Sequence, residues 1–428
     1  MTSSVSSLRA LFVNTGILGH RSVAALIRCS VERLPAVEAE HIDLSQPLSL
    51  GERVIRRALA TALAPSTGPL ANVDLRRWRL EWHAGLVARR RIAGRWANGR
   101  FDVVHFHTQA AAYASLPLMR ATPCIVSVDA TQQLAREELP STVARLSYAP
   151  NVAHDGWVFR AAAAVTATSQ WAAYSLAAHY PDCADKVHVL PYPVRSTVDP
   201  AWMVTRFERG GRPRPAMPRA LFIGGDFPRK GGHDLLEAWR LGGLSDVMAL
   251  DLVTDWPLDP RGLPPGVRLV RGIAPHTPAW QALWHDADLF VMPSRHEAFG
   301  MVYQEAAAAG LPVVATRINA VPEIVENGVT GLLVERGDLA ALATACRALA
   351  GSADRRRQMG MAALERARTA FSLDRHASRL EHVIGAALAS GTHAPTPRDR
   401  SRLMGPSGGT QPLATPSPRA LSDLGDSR

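Results

Sequence analysis

Val291-Met-Pro-Ser-Arg-His-Glu-Ala-Phe-Gly-Met-Val-Tyr-Gln-Glu305 joins the end of an apolar strand to the start of a helix. The strand reads Ala287-Asp-Leu-Phe-Val-Met292, and the helical pattern runs from about Gly300 to Ala309. In an open parallel sheet, ligands bind where strands end, and backbone amides at a helix start attract phosphate. Glu297 offers a carboxylate in the loop, followed by the small residues Ala298 and Gly300. Glu305 lies about one to two turns further on, at about 1.5 Å of rise per residue. One acid can reach a polar ligand group at the loop while the other grips it from the side, with a phosphate between them. A ligand with hydroxyls at both ends and phosphate in the middle fits that layout, and a nucleotide sugar is such a ligand.

The run continues as Ala306-Ala-Ala-Ala-Gly-Leu-Pro-Val-Val-Ala315 and then Val321-Pro-Glu-Ile-Val-Glu-Asn-Gly-Val-Thr-Gly-Leu-Leu-Val334. Taken together, these stretches resemble the retaining glycosyltransferases of family 4, the group 1 glycosyl transferases. Their hallmark is E-G-F-G-x-x-x-x-E. Here it is Glu297-Ala-Phe-Gly-Met-Val-Tyr-Gln-Glu305, with Ala298 for the usual glycine. Two glutamates alone would suit an ordinary strand-helix unit with incidental acids; the whole ordered run carries the resemblance. It is strong over about 220–372, patchy before that, and absent after about 390.

Composition bounds the problem. At 428 residues and 47% hydrophobic, the chain is long and apolar enough for two ordinary globular domains. No apolar stretch approaches the ~18 residues of a membrane span. The opening Met1-Thr-Ser-Ser-Val-Ser-Ser does not read as a secretory signal. Cys29, Cys124, Cys183 and Cys346 lack metal-ligand spacing, so free thiols and a cytoplasmic setting are expected, with peripheral contact to the inner membrane face as an extension. The formal charge of +10 is almost all arginine, because Lys186 and Lys230 are the only lysines. Such an excess suits anionic nucleotides, an anionic membrane face, or nothing specific. No helix-turn-helix, zinc-finger or aromatic ribonucleoprotein pattern is present, which argues against nucleic acid.

Strand-like runs alternate with helical stretches throughout, the pattern of parallel sheets covered on both faces. Strands are expected at Leu8–Val13, Val103–His107, Cys124–Val128, Ala163–Ala167 and Val187–Leu190. A second series covers Arg219–Ile223, Asp251–Val253, Val267–Val270, 287–292, Pro312–Ala315 and Gly331–Val334. Residues 208–218 are rich in Pro, Gly and Arg and read as a linker. The expected organisation is an α/β N-terminal domain over 1–207 on the acceptor side and a nucleotide-sugar domain over 219–372. A helix over 373–389 would pack back on the first domain, and 390–428 reads as a disordered tail. The resemblance implies the GT-B fold: two Rossmann-like, doubly wound parallel-sheet domains facing a central cleft.

Leu221-Phe-Ile-Gly-Gly-Asp-Phe-Pro-Arg-Lys-Gly-Gly-His233 is a strand, a glycine-bounded loop and a helix start, suited to close backbone approach by phosphate. The family has G-R-x-x-x-x-K-G here, with both cations on the donor diphosphate. Lys230 matches the lysine, but Gly225 replaces the arginine, and Arg229 beside the lysine is the available substitute. A Schiff-base lysine, as in phosphorylases of the same architecture, is the competing use of Lys230.

In the first half, Gly16-Ile-Leu-Gly-His20 follows the opening strand where the family has a glycine loop; it is not G-x-G-x-x-G. Gly19 is the candidate for backbone contact with donor, and His20 is either an exposed cap or a catalyst. Within Phe101-Asp-Val-Val-His-Phe-His-Thr-Gln109, His105 should pack in the core with its ring nitrogens satisfied, while His107 ends the strand and faces the cleft. Ser127-Val-Asp-Ala-Thr131 ends the next strand and offers Asp129 to the same cleft, where it either orients an acceptor hydroxyl or caps the next helix. Arginine and tryptophan alternate at helical spacing from Leu75 to Trp96. That helix either lies on anionic lipid or turns its tryptophans into the core.

The resemblance implies transfer of a sugar from a UDP- or GDP-linked donor to a hydroxyl acceptor with retention. Glu297, Lys230 and His107 are the catalytic candidates. Gly19, Arg229, Lys230, Glu297, Phe299, Gly300, Met301 and Glu305 are the donor-binding ones; His20, His107 and Asp129 lie on the acceptor side. No cofactor and no essential metal are expected. Other GT-B activities, namely an epimerase or a phosphorylase, and a non-catalytic partner that keeps the fold are the alternatives.

Overall fold

Runs of Val, Leu, Ile and Phe too short for helices line up side by side in two parallel sheets. The computed structural model describes residues 7–15, 20–45, 49–61, 73–139, 141–195 and 217–390, excepting the side chains of His20 and Arg21. Gly19, residues 208–216 of the expected linker and 391–428 of the expected tail lie outside the described residues. The first sheet contains β1 (Leu8–Asn14), β2 (Val37–Asp43), β3 (Val103–His107), β4 (Cys124–Val128), β5 (Ala164–Ala167) and β6 (Val187–Val189). The second contains β7 (Arg219–Ile223), β8 (Ala249–Val253), β9 (Val267–Val270), β10 (Leu289–Met292), β11 (Val313–Thr316) and β12 (Gly331–Val334). Both sheets belong to one compact unit.

Helices cover both faces, so the central strands β3, β4, β5, β10 and β11 are buried along their whole length. The one strand absent from the sequence reading, β2, is an edge. Its Val-Glu-Ala-Glu-His-Ile-Asp alternates because one rim meets water, and Glu40 there pairs with Arg9 at 2.9 Å and Arg95 at 3.3 Å.

Strand order places the crevices. The first sheet runs β2-β1-β3-β4-β5-β6, so the winding reverses between β1 and β3. The second runs β12-β11-β10-β7-β8-β9 and reverses between β10 and β7. At a reversal, neighbouring strands send their following loops to opposite faces and leave a gap at their carboxyl ends. Asn14 and His107 are register partners at the first gap. The loops carrying Lys230 and Glu297 flank the second.

The helix Leu373–Ala389 packs on the helix His20–Val31 and on β3, β4 and β5 of the first sheet. It buries His376, Leu380, Val383 and Ile384, and Asp374 meets Arg33 at 2.6 Å. In the helix Arg76–Trp96, Trp78 and Trp82 meet His154 in tilted and edge-on contacts at 6.1 and 5.1 Å, and Trp96 packs on Phe101 at 5.4 Å. These tryptophans are half-buried against protein rings, the packing that the core reading of this helix expects.

Candidate active site

Two glycines let the loops of the second gap close on each other. Gly231 holds φ at +72°, and a Cβ there would collide with the Pro293 carbonyl oxygen. Gly300 holds φ at +95°, and a Cβ would stand 2.6 Å from the Tyr303 ring. Both conformations are left-handed, where side chains are disfavoured. Tyr303 is in turn fixed by its hydroxyl, which donates to the Met292 carbonyl at 3.0 Å and lies 3.2 Å from Ser294 Oγ.

The closure brings Lys230 onto Glu297, where its Nζ donates to Oε2. Arg229 Nη1 lies 3.8 Å from the same oxygen. Arg229 is itself held, by Asp226 Oδ2 at 3.0 Å and the His296 carbonyl at 3.0 Å. Asn319 Nδ2 donates to the Glu297 carbonyl at 3.0 Å. Glu297 is thus not the free carboxylate its loop position suggested: it is nearly buried and carries two cations. Gly225 offers nothing in place of the family's arginine, and a Cβ there would meet open space.

Glu305 stands on the helix Met301–Ala308 in a different setting. It keeps partial exposure, yet protein atoms crowd it, and no side chain among the described residues donates a hydrogen bond to it. Burial raises its carboxyl to about 7 against a smaller downward pull from the Lys230 ammonium. The first turn of this helix leaves its leading amides, Met301 among them, without intrahelical acceptors. Phe299 is buried beneath them.

On the first sheet, His107 is fully buried rather than open to the cleft, and its Nε2 lies 3.2 Å from the Tyr192 hydroxyl. His105 packs in the core as expected. Its Nε2 meets Ser127 Oγ at 2.8 Å, but Nδ1 finds no hydrogen-bond partner among the described residues. Asp129 is not the helix cap, because Thr131 accepts from the Leu134 amide and fills that role. Asp129 accepts instead from the Ala130 amide at 2.8 Å, near enough to Tyr192 to add to the upward pull of burial on that phenol. His20 opens the first helix, its side chain outside the described residues.

The family described as glycosyl transferases group 1 matches residues 217–352, and Glycosyltransferase Family 4 matches 52–197. D-inositol 3-phosphate glycosyltransferase of Pseudarthrobacter chlorophenolicus is 31% identical over 299 residues, 64% of this chain and 69% of that protein. The chain belongs to the group 1 glycosyltransferases. The same-named enzyme of Corynebacterium kroppenstedtii is 36% identical over 152 residues, which span only 32% of its length. Glycogen synthase of Mycobacterium tuberculosis is 29% identical over 405 residues, 89% of this chain and 90% of that protein. Among solved structures, sucrose-phosphate synthase of Thermosynechococcus elongatus superimposes with TM-score 0.65 at 18% identity, covering 90% of this chain and all of that one (100%). Anabaena HepE in complex with UDP-glucose does so with TM-score 0.59 at 17% identity, covering 89% and 100%. These likenesses place the glycosyltransferase in the GT-B fold.

Residues that sequence reading passed over join the two sheets of this glycosyltransferase. Tyr192 presents its ring edge to Phe299 at 5.3 Å, and its carbonyl accepts from Gln304 Nε2 at 2.9 Å. With its hydroxyl on His107, it touches the first sheet and the second sheet's loop at once. Its setting between Pro191 and Pro193, just after the last strand of the first half, was the available signal. Glu323 accepts from the amides of Gln170 and Trp171 at 2.7 and 2.8 Å, capping the helix Gln170–His179. His296, beside Glu297, meets Glu138 at 2.8 Å.

Proposed function

We propose that this glycosyltransferase is a retaining, family 4-type enzyme moving a sugar from a nucleoside diphosphate sugar to a hydroxyl acceptor. The observation that carries the reading is the convergence of Lys230 and Arg229 on Glu297 beside a helix start, with Glu305 on that same helix. Glu305 takes the donor ribose hydroxyls, Glu297 the donor sugar, and the amides of Phe299 to Met301 the sugar and phosphate. As the bond from the anomeric carbon to phosphate breaks, negative charge grows on the leaving diphosphate. Lys230 and Arg229 neutralise it, which stabilises the transition state. The acceptor oxygen bonds to the anomeric carbon on the same face, and its proton passes to the leaving phosphate. His107, held by Tyr192, and Asp129 shape the acceptor side. The reaction so drawn needs no metal. A uridine donor is the first choice because a neighbour of the same fold, Anabaena HepE, was solved in complex with UDP-glucose. The relatives' names support acceptors from a small phosphorylated polyol to a polysaccharide.

Thermal stabilisation by UDP, GDP, ADP and their sugar conjugates tests the donor site. A ligand at a hundredfold excess over Kd adds about 2.7 kcal/mol. One nucleotide series should stabilise the chain, and Glu305→Ala and Lys230→Ala should each abolish the effect. Absence of any shift would remove the donor-site assignment. Gly225 supports a second reading, a non-catalytic partner, which product formation with any donor and acceptor would eliminate.

A further inference from the structure

The helix Leu50–Leu59 buries none of its residues. At about 100° per residue, Leu50, Gly51, Val54, Ile55 and Ala58 share one side, with Arg57 and Arg53 along its edge and Arg56 further round. In a helix resting on its own protein, the apolar side would face the core. Here it faces out: Leu50 is 70% exposed, Val54 60% and Ile55 47%. A Cβ on Gly51 would meet nothing within 4 Å.

The side carrying Glu52 and Leu59, the helix's two half-buried residues, faces the helix Arg76–Trp96, and Arg53, Arg56 and Arg57 are exposed. Glu52 feels the charges of Arg91 and His83, and His83 feels Arg56 and Arg90. Arg79 Nη2 donates to the Thr61 carbonyl at 2.8 Å, so the two helices run side by side in opposite directions. Glu52, the sole acid on the Leu50–Leu59 helix, is spent capping Ser49. An apolar strip is therefore rimmed by arginines with little local neutralisation. A second copy of this chain would set like charges against each other there, whereas a bilayer with anionic headgroups offers both an apolar interior and phosphates.

We infer that the Leu50–Leu59 helix docks this protein on anionic lipid, with Leu50, Val54 and Ile55 entering the bilayer interface and Arg53, Arg56 and Arg57 at the headgroups. The docking rests on this helix alone and is independent of the sugar-transfer reading. The helix follows β2, whose carboxyl end lies at the rim where the first crevice opens.

Co-sedimentation of the full chain with vesicles tests it. Vesicles of phosphatidylglycerol and phosphatidylcholine should retain the protein at 0.1 M salt, and pure phosphatidylcholine vesicles should not. The triple variant Leu50→Ser, Val54→Ser, Ile55→Ser should weaken retention at least tenfold. The variant Arg53→Gln, Arg56→Gln, Arg57→Gln should weaken it about a hundredfold, from about 1 kcal/mol per basic residue near the surface. Leu241→Ser, at a site of equal 70% exposure on the second half, should leave it unchanged. Circular dichroism melts of each variant show that it is folded. No retention on anionic vesicles, equal retention on neutral ones, or retention indifferent to both triple variants overturns the proposal. So does a concentration-dependent dimer that the apolar variant dissolves.

Discussion

The two gaps of this glycosyltransferase are built by opposite means. At the second sheet, closure is local backbone work: Gly231 and Gly300 in left-handed conformations bring two loops together, and the ionisable groups meet as a charged pair. At the first sheet, closure is side-chain work: His105, His107 and Tyr192 are buried at or near the strand ends and meet through ring and hydroxyl contacts. Tight turns leave a trace in a sequence, and long-range burial does not. The contrast also implies that the two halves respond to acid and base in opposite senses.

The largest expected effect is acid unfolding of the first half. Burial lowers His41 to about 4, with help from Arg28. Burial likewise lowers His105 to about 3, assisted by His41, and His376 to about 3, assisted by His105 and Arg379. Groups depressed on folding contribute stability above their unfolded value near 6.5, and that stability is lost as pH falls toward the folded values. Stability should drop by several kcal/mol between about pH 6.5 and pH 4. Chemical denaturation against pH measures it, and His105→Phe with His376→Phe should flatten the acid limb. An unchanged limb would mean that these rings do not hold the first half together.

Next comes Gly231→Ala. The added Cβ meets backbone, not a flexible side chain, in a left-handed conformation. A loss of about 3 kcal/mol or more is expected, well above the few tenths of an ordinary surface change. Gly225→Ala, where the Cβ finds open space, is the control and should be nearly silent.

Glu305→Gln acts in the opposite sense from the histidines. A carboxyl raised from about 4.5 to about 7 favours folding below the lower value and loses that contribution as pH rises through the upper one. The neutral amide should therefore stabilise the chain at pH 8, by on the order of 1–3 kcal/mol. The same change should weaken donor binding about tenfold by removing an ionised acceptor. Equal melting temperatures of the two proteins at pH 8 would contradict the crowded, poorly solvated setting of the Glu305 carboxyl.

The smallest effect is set for Tyr192→Phe, which keeps the ring on Phe299 and removes the hydroxyl from His107. About 1 kcal/mol of stability should go. KM for the acceptor should rise more than kcat falls, and an unchanged KM would leave Tyr192 a packing residue only.

Much of the second half was legible because its signals are short-range. The strands Arg219–Ile223, Val267–Val270 and Gly331–Val334 stand where apolar run length put them. Ala287 and Asp288 were read into β10 but precede it, since the helix Pro278–Asp286 ends with Ala287 as its cap. In the first half, β2 escaped because an edge strand alternates with acids and has no continuous apolar run. Asp129 and Thr131 both had capping chemistry, and only the chain's path chose between them.

By itself, the sequence determined the alternation of strands and helices, the glycines that the two loops need, and the pair of glutamates at fixed spacing on a loop and a helix. Those follow from bond geometry and side-chain periodicity over a few residues. The tertiary structure decided that Lys230 closes on Glu297, 67 residues away, and that Tyr192 bridges His107 and Gln304, 85 and 112 residues distant. It also packed the tryptophans of one helix against protein rings and left the apolar side of its neighbour facing out. Each of those outcomes depends on which surfaces meet when the sheets and helices pack, and a one-dimensional pattern carries no record of that meeting.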